Sequence, residues 1–113
     1  MKRPWHLTRL GAGLWLFEPG EGLDPGAAGD TIEAVSAALL QDRATCLYYD
    51  ARAVAVIDPL YWAWLRQLAR ACALLGASFV LVHVRPETAY ALSRHCPPPP
   101  FACAGSVPGS APR

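Results

Sequence analysis

The sequence predicts an α/β protein built on a mixed β-sheet of about four to five strands flanked by three helices. Between Thr45 and Leu92, short apolar runs alternate with longer segments of helical periodicity, in the order strand, helix, strand, helix. Within it, Phe79 to Val84 is an unbroken apolar run, the pattern of an internal parallel strand covered on both faces. The chain is also 53% hydrophobic and 17% charged, and its prolines gather in the first third and after residue 95, so the centre is largely free of breakers. A single domain over residues 1–113 is expected, with a core from about 7 to 104 and a disordered tail over 105–113.

Trp5 to Leu10 and Leu14 to Phe17 are short apolar segments joined by Gly11-Ala12-Gly13, which predicts a hairpin. Glu18 to Gly29 carries turn chemistry throughout and predicts a mobile loop. Asp30 or Thr31 is placed to cap a helix running to about Gln41, with Ile32, Val35, Ala38 and Leu39 on the sheet-facing side. Thr45 to Asp50 is short, aromatic and apolar, and predicts a strand; Val54 to Ile57 reads as extended loop.

Asp58-Pro59 is a strong helix start. The carboxylate can accept from free first-turn N–H groups, and proline's missing donor costs nothing at the first helical position. On the helix that follows, Tyr61, Trp64, Leu65, Leu68, Cys72 and Leu75 share one face, with Ala63, Arg66 and Arg70 opposite. Trp62 falls on the flank beside Arg66 and Ala69, where its ring needs cover from a neighbouring loop or from a partner. Tryptophan beside arginine on a surface is the composition of an interface hot spot.

Gly76 ends this helix. His83 then stands at the carboxyl end of the next strand, and Pro86 opens a short helix with Ala89 and Leu92 inward. Pro97 to Pro100 reads as a stiff connector and Phe101 to Cys103 as a last short strand.

Several function classes are disfavoured by composition. A net charge of +1 leaves no electrostatic footprint for nucleic acid or anionic lipid. The start resembles a signal peptide only superficially, since Arg9 interrupts its apolar region, and no run approaches the roughly 20 residues of a membrane span. A cytoplasmic protein is expected. The four cysteines, at 46, 72, 96 and 103, are too irregularly spaced for a zinc module, and His95-Cys96 with Cys103 lacks a fourth ligand. Cys72 reads as a small core hydrophobe. No metal and no cofactor are expected.

Asp50, Asp58 and His83 could converge at one sheet edge as base and orienter, but no nucleophile accompanies them and no phosphate loop or metal motif is present, so an enzyme is not expected. Asp50, His83 and Arg85, near the open strand ends, would alternatively suit a small anion or nucleotide.

An aliphatic strand ending in Asp50, followed by VIDPLYWAWLRQLARACALLGASFVLVHVRPETAYAL, resembles the STAS domain of anti-sigma-factor antagonists, most closely the stressosome type. In that family a strand ends in Asp, and a loop ends in Asp-Ser or Asp-Thr at the start of a helix closing in Leu-X-Gly-Ala. The next strand runs into Gly-Ile-Arg-Pro-Glu-X-Ala. Here Leu74-Leu75-Gly76-Ala77 and Val84-Arg85-Pro86-Glu87-Thr88-Ala89 match in register, and Asp50 and Asp58 match the two aspartates. The resemblance implies a STAS-like fold and a regulatory protein–protein interaction module of bacterial signal transduction.

Its implied partners are a switch kinase of the anti-sigma type or other STAS proteins, self-assembly included. The implied partner-binding surface comprises Asp58, Pro59, Leu60, Trp62 and Arg66. The departures are specific. Pro59 occupies the phosphoacceptor position and has no hydroxyl; Val82 stands where some members carry threonine; His83 stands where they carry glycine; and GSVPGSAPR has no counterpart of the C-terminal helix. A non-phosphorylatable module follows, with a ligand-sensing or transporter-accessory STAS domain as the alternative.

Overall fold

The computed structural model describes residues 4–95, 101–105 and 107, which form five strands and three helices. Strands β1 (Trp5–Gly11) and β2 (Leu14–Pro19) make an antiparallel hairpin, and β3 (Cys46–Asp50), β4 (Ser78–Val82) and β5 (Ala102–Ala104) add in parallel, giving the order β1-β2-β3-β4-β5. Helices α1 (Ala28–Gln41), α2 (Pro59–Leu74) and α3 (Pro86–His95) make the connections. The mixed sheet and three helices are those expected of a STAS-like fold. Cys96, the four prolines, Ser106 and the chain beyond Val107 lie outside the described residues, and with them the expected connector, the Cys96 metal reading and most of the expected tail.

The sheet is held on one face by a ribbon of aromatic rings that runs from β1 across β4 to Phe101, the residue before β5. Trp5 stacks on Phe17 at 5.4 Å between centroids, Phe17 on Tyr49 at 4.9 Å, Tyr49 meets Phe79 at 5.9 Å, and Phe79 meets Phe101 edge-on at 5.0 Å. Alternation along each strand places these side chains on one side, where α1 contributes Val35 and Leu39, and α2 contributes Trp64, Leu65, Leu68 and Cys72. Tyr48 and Val82, also buried, belong to the opposite face.

The first loop is more ordered than its composition predicts. Asp24 accepts from Gly26 N–H at 2.9 Å and starts a 3₁₀ turn over Pro25–Ala27, which runs directly into α1 at Ala28. Asp30 therefore lies in the first helical turn rather than at the cap. At the far end, Asp42 closes α1 and accepts from Trp15 Nε1 at 2.9 Å and Arg9 Nε at 3.2 Å, tying the hairpin to the helix. Those residues line a shallow cleft of about 500 Å³ with Ala38 and Gln41.

Asp58 caps α2 as expected, accepting from Tyr61 N–H at 2.8 Å with Pro59 inside the first turn. Gly76, at φ 78°, supplies the left-handed stop after the helix.

Trp62 is not on an open flank. It is 7% exposed and its ring packs on Phe101 at 5.6 Å, because β5 extends the sheet beneath that side of α2. In α3, Leu92 packs against the core as expected and Thr88 is buried, at 4% exposed, while Ala89 faces solvent; the helix is turned so that the threonine hydroxyl reaches a backbone carbonyl. No helix among the described residues is long and apolar enough to cross a membrane.

Candidate functional site

The parallel strands β3 and β4 end together. Their register pairs Asp50 with Val82, so the residues that follow, Ala51 and His83, leave the sheet side by side. Ala51 N–H still bonds Val82 C=O at 2.9 Å, after which the chain runs from 52 to 57 without regular structure before Asp58 starts α2. The carboxyl edge of the sheet, this loop and the helix start form one continuous surface.

Asp50 Oδ1 accepts from Arg52 N–H at 2.8 Å, bending the chain back on itself, and meets His83 Nδ1 at 3.2 Å. Both side chains are largely shielded, at 14% and 19% exposure. His83 adopts φ 58°, a left-handed conformation in which a β-carbon is crowded and which histidine tolerates better than most residues. Arg85 Nε donates to Arg52 C=O at 2.9 Å, and Thr88 Oγ1 donates to Ala55 C=O at 2.8 Å. Asp50, His83 and Arg85 are thus brought to one edge, with their contacts directed at the protein's own loop. Asp58 does not join them, because its carboxylate is committed to Tyr61 N–H.

Beneath the helix start lies a buried polar chain. Trp64 Nε1 donates to Tyr49 OH at 2.9 Å, and Tyr49 OH and Tyr61 OH share a hydrogen bond of 2.6 Å. Burial pushes both phenols above their ordinary range, with the adjacent Tyr61 adding to the shift at Tyr49, so they serve as neutral hydrogen-bonding groups. Burial also raises the Cys46 and Cys103 thiols and pushes Cys72 up to about 12, which disfavours the thiolate form at all three. Among the described residues, no three His, Cys, Asp or Glu side chains are grouped to hold a metal ion.

The helix start itself is open. Val56 is 73% exposed and Leu60 54%, on either side of the exposed Asp58 and Pro59, with Arg66 exposed further along α2. Two uncovered aliphatic side chains around a capped helix start form an apolar patch with a charged border. Val56 had no signal in the sequence beyond lying in an apolar run. Trp62, expected in this patch, is buried beneath it, and its Nε1 has no hydrogen-bond partner among the described residues.

The sheet order, the helices and the shared edge of loop and helix start define a STAS-like fold. Its likeness to solved structures is extensive. A Moorella thermoacetica RsbS, in a serine-to-glutamate variant, superposes with a TM-score of 0.72 at 22% identity, covering 93% of this chain and 89% of that one. The protein TM1081, solved by NMR, gives 0.71 at 14% identity over 91% and 80%. A chain from "Molecular architecture of the stressosome, a signal integration and transduction hub" gives 0.62 at 20% identity over 90% and 89%. No family model matches the sequence and no curated protein matches it, so these structures establish the fold.

Proposed function

We propose that this chain is a non-phosphorylatable STAS-type interaction module that docks a regulatory protein at the start of α2. The observation that carries the reading is the exposure of Val56 and Leu60 on either side of Asp58-Pro59, at the position where the resembling family presents a phosphorylatable hydroxyl. Asp58, Pro59, Leu60 and Arg66 form the proposed contact with Val56 beside them. Trp62 supports this surface from below and does not touch the partner. The docked protein is a switch kinase of the anti-sigma type or another STAS protein, a second copy included, acting in bacterial cytoplasmic signalling.

Proline at position 59 removes the group that would receive phosphate, so contact is governed by association rather than by modification at this site. The likeness to RsbS and to a stressosome chain supports a regulatory role over an enzymatic one. Commitment of Asp50, His83 and Arg85 to intramolecular bonds counts against the small-anion and nucleotide reading.

The test is capture from host extract on immobilised wild-type protein and on Leu60→Glu and Arg66→Glu, all three verified as folded by circular dichroism. The reading expects a STAS protein or a switch kinase on the wild type, lost from Leu60→Glu and weakened on Arg66→Glu. Equal capture by the folded variants removes the surface. Phosphate found on any Ser, Thr or Tyr of the chain after incubation with the captured kinase would overturn the non-phosphorylatable reading.

A further inference from the structure

The proposed docking loop has few backbone bonds of its own. Between Ala51 and Asp58 the chain makes one internal backbone bond, Val54 N–H to Ala51 C=O at 3.0 Å, and it has no helix or strand to extend. Its other fixed points are the Asp50 carboxylate on the Arg52 N–H, the packing of Val54 and Ile57 on the core, and three side chains from a segment distant in sequence. His83 reaches Asp50, Arg85 reaches the Arg52 carbonyl and Thr88 reaches the Ala55 carbonyl, in the same order along both segments.

Two features make this segment more than incidental packing. Aromatic and cysteine side chains aside, Thr88 is the only polar residue in the buried set among the described residues, and its hydroxyl is directed at the loop. His83 keeps a left-handed backbone in a position where glycine would be unstrained, and its imidazole there faces Asp50. Exposed carbonyls of a loop can be solvated by water, so these side chains are not needed for burial alone; what they supply is a single conformation.

We infer that residues 83–88 act as a clamp that sets the conformation of the loop from 52 to 57, with His83, Arg85 and Thr88 as positioning residues for the partner contact. The consequence for binding rests on the docking reading above; the clamp itself does not. Loss of a clamp bond leaves the sheet and α2 intact and lets the loop sample other shapes. A partner then meets the competent shape only part of the time, and its apparent affinity falls by that fraction.

The experiment is amide hydrogen exchange on the full chain, comparing wild type with Thr88→Val, Thr88→Ser and His83→Gly. The reporters are the Arg52 and Val54 amides, whose acceptors lie within the loop and its anchor. The clamp predicts exchange at these two amides faster by roughly tenfold in Thr88→Val and His83→Gly, with Leu47 and Leu81 in the core strands unchanged.

Thr88→Ser keeps the hydroxyl and restores slow exchange. Wild-type rates at Arg52 and Val54 in both disrupting variants would overturn the clamp. So would equal acceleration of loop and core, which marks a general loss of stability, or a serine variant that exchanges like the valine one. Failure of the docking reading shows separately, as retention of the partner by folded Leu60→Glu whatever the exchange rates are.

Discussion

Trp62 offers the sharpest test of the packing, because one substitution there should be costly and another nearly neutral. Its side chain is only 7% exposed and its ring lies on Phe101 at 5.6 Å. Trp62→Ala removes the whole side chain from a closed site, and such truncations cost about 3–5 kcal/mol. Set against a typical domain stability of about 5–15 kcal/mol, that is a large fraction of the total.

Trp62→Phe keeps an aromatic ring against Phe101 and deletes the Nε1–H, which is buried without an acceptor among the described residues. The unsatisfied donor costs about 1–3 kcal/mol, similar in size to what the smaller ring loses in contact, so the two effects offset to within about 1 kcal/mol. Urea unfolding followed by far-UV circular dichroism measures both variants. A loss above about 3 kcal/mol in Trp62→Phe would refute the reasoning, since it would mean that the indole N–H has an acceptor worth keeping.

Tyr49→Phe should destabilise by about 1–3 kcal/mol in the same assay, because Trp64 Nε1 loses its acceptor in a closed site; a neutral result would show that water or another group replaces the phenol. Asp58→Ala should cost about 1 kcal/mol through loss of the α2 cap, whereas Asp58→Asn retains an acceptor oxygen and should unfold close to wild type, separating capping from charge in any binding assay. The Trp15 indole holds the Asp42 carboxyl below its ordinary value of 3.8, opposed by desolvation and assisted by Arg9. Because the folded state prefers the carboxylate, this contribution is present above 3.8 and fades as pH falls through the lower folded value. Thermal melts on descending from about pH 5 should therefore fall more steeply for wild type than for Asp42→Asn, and parallel curves would contradict the assignment.

The elements legible in the sequence were those whose signal is local. The Asp58-Pro59 start, the Gly76 stop and the apolar runs of β3 and β4 each declare themselves within a few residues. The STAS-like fold followed from their order and from the Leu74–Ala77 and Val84–Ala89 motifs.

What was not legible depends on contacts between distant segments. Trp62 reads as a flank residue on an isolated helix and becomes interior only when β5 brings Phe101 beneath it. On α3, Leu92 faces the core as expected, but Thr88 rather than Ala89 is the inward residue of the first turns, because an apolar count favours Ala89 while the Thr88 hydroxyl finds Ala55. Asp50 and His83 do converge at one sheet edge as expected, at 3.2 Å, but Asp58 does not join them, since its carboxylate caps α2. The aromatic ribbon combines single residues from separate strands and has no periodic signature.

The central claim is that the exposed start of α2 is a docking surface. Its most direct measurement is titration of the captured regulatory partner against wild-type protein and Leu60→Glu by calorimetry, with thermal melts on both. Loss of an apolar contact at the centre of the patch predicts binding weaker by at least roughly tenfold, equivalent to about 1.4 kcal/mol, at an unchanged Tm. Equal affinity for the two proteins, at equal stability, would contradict it.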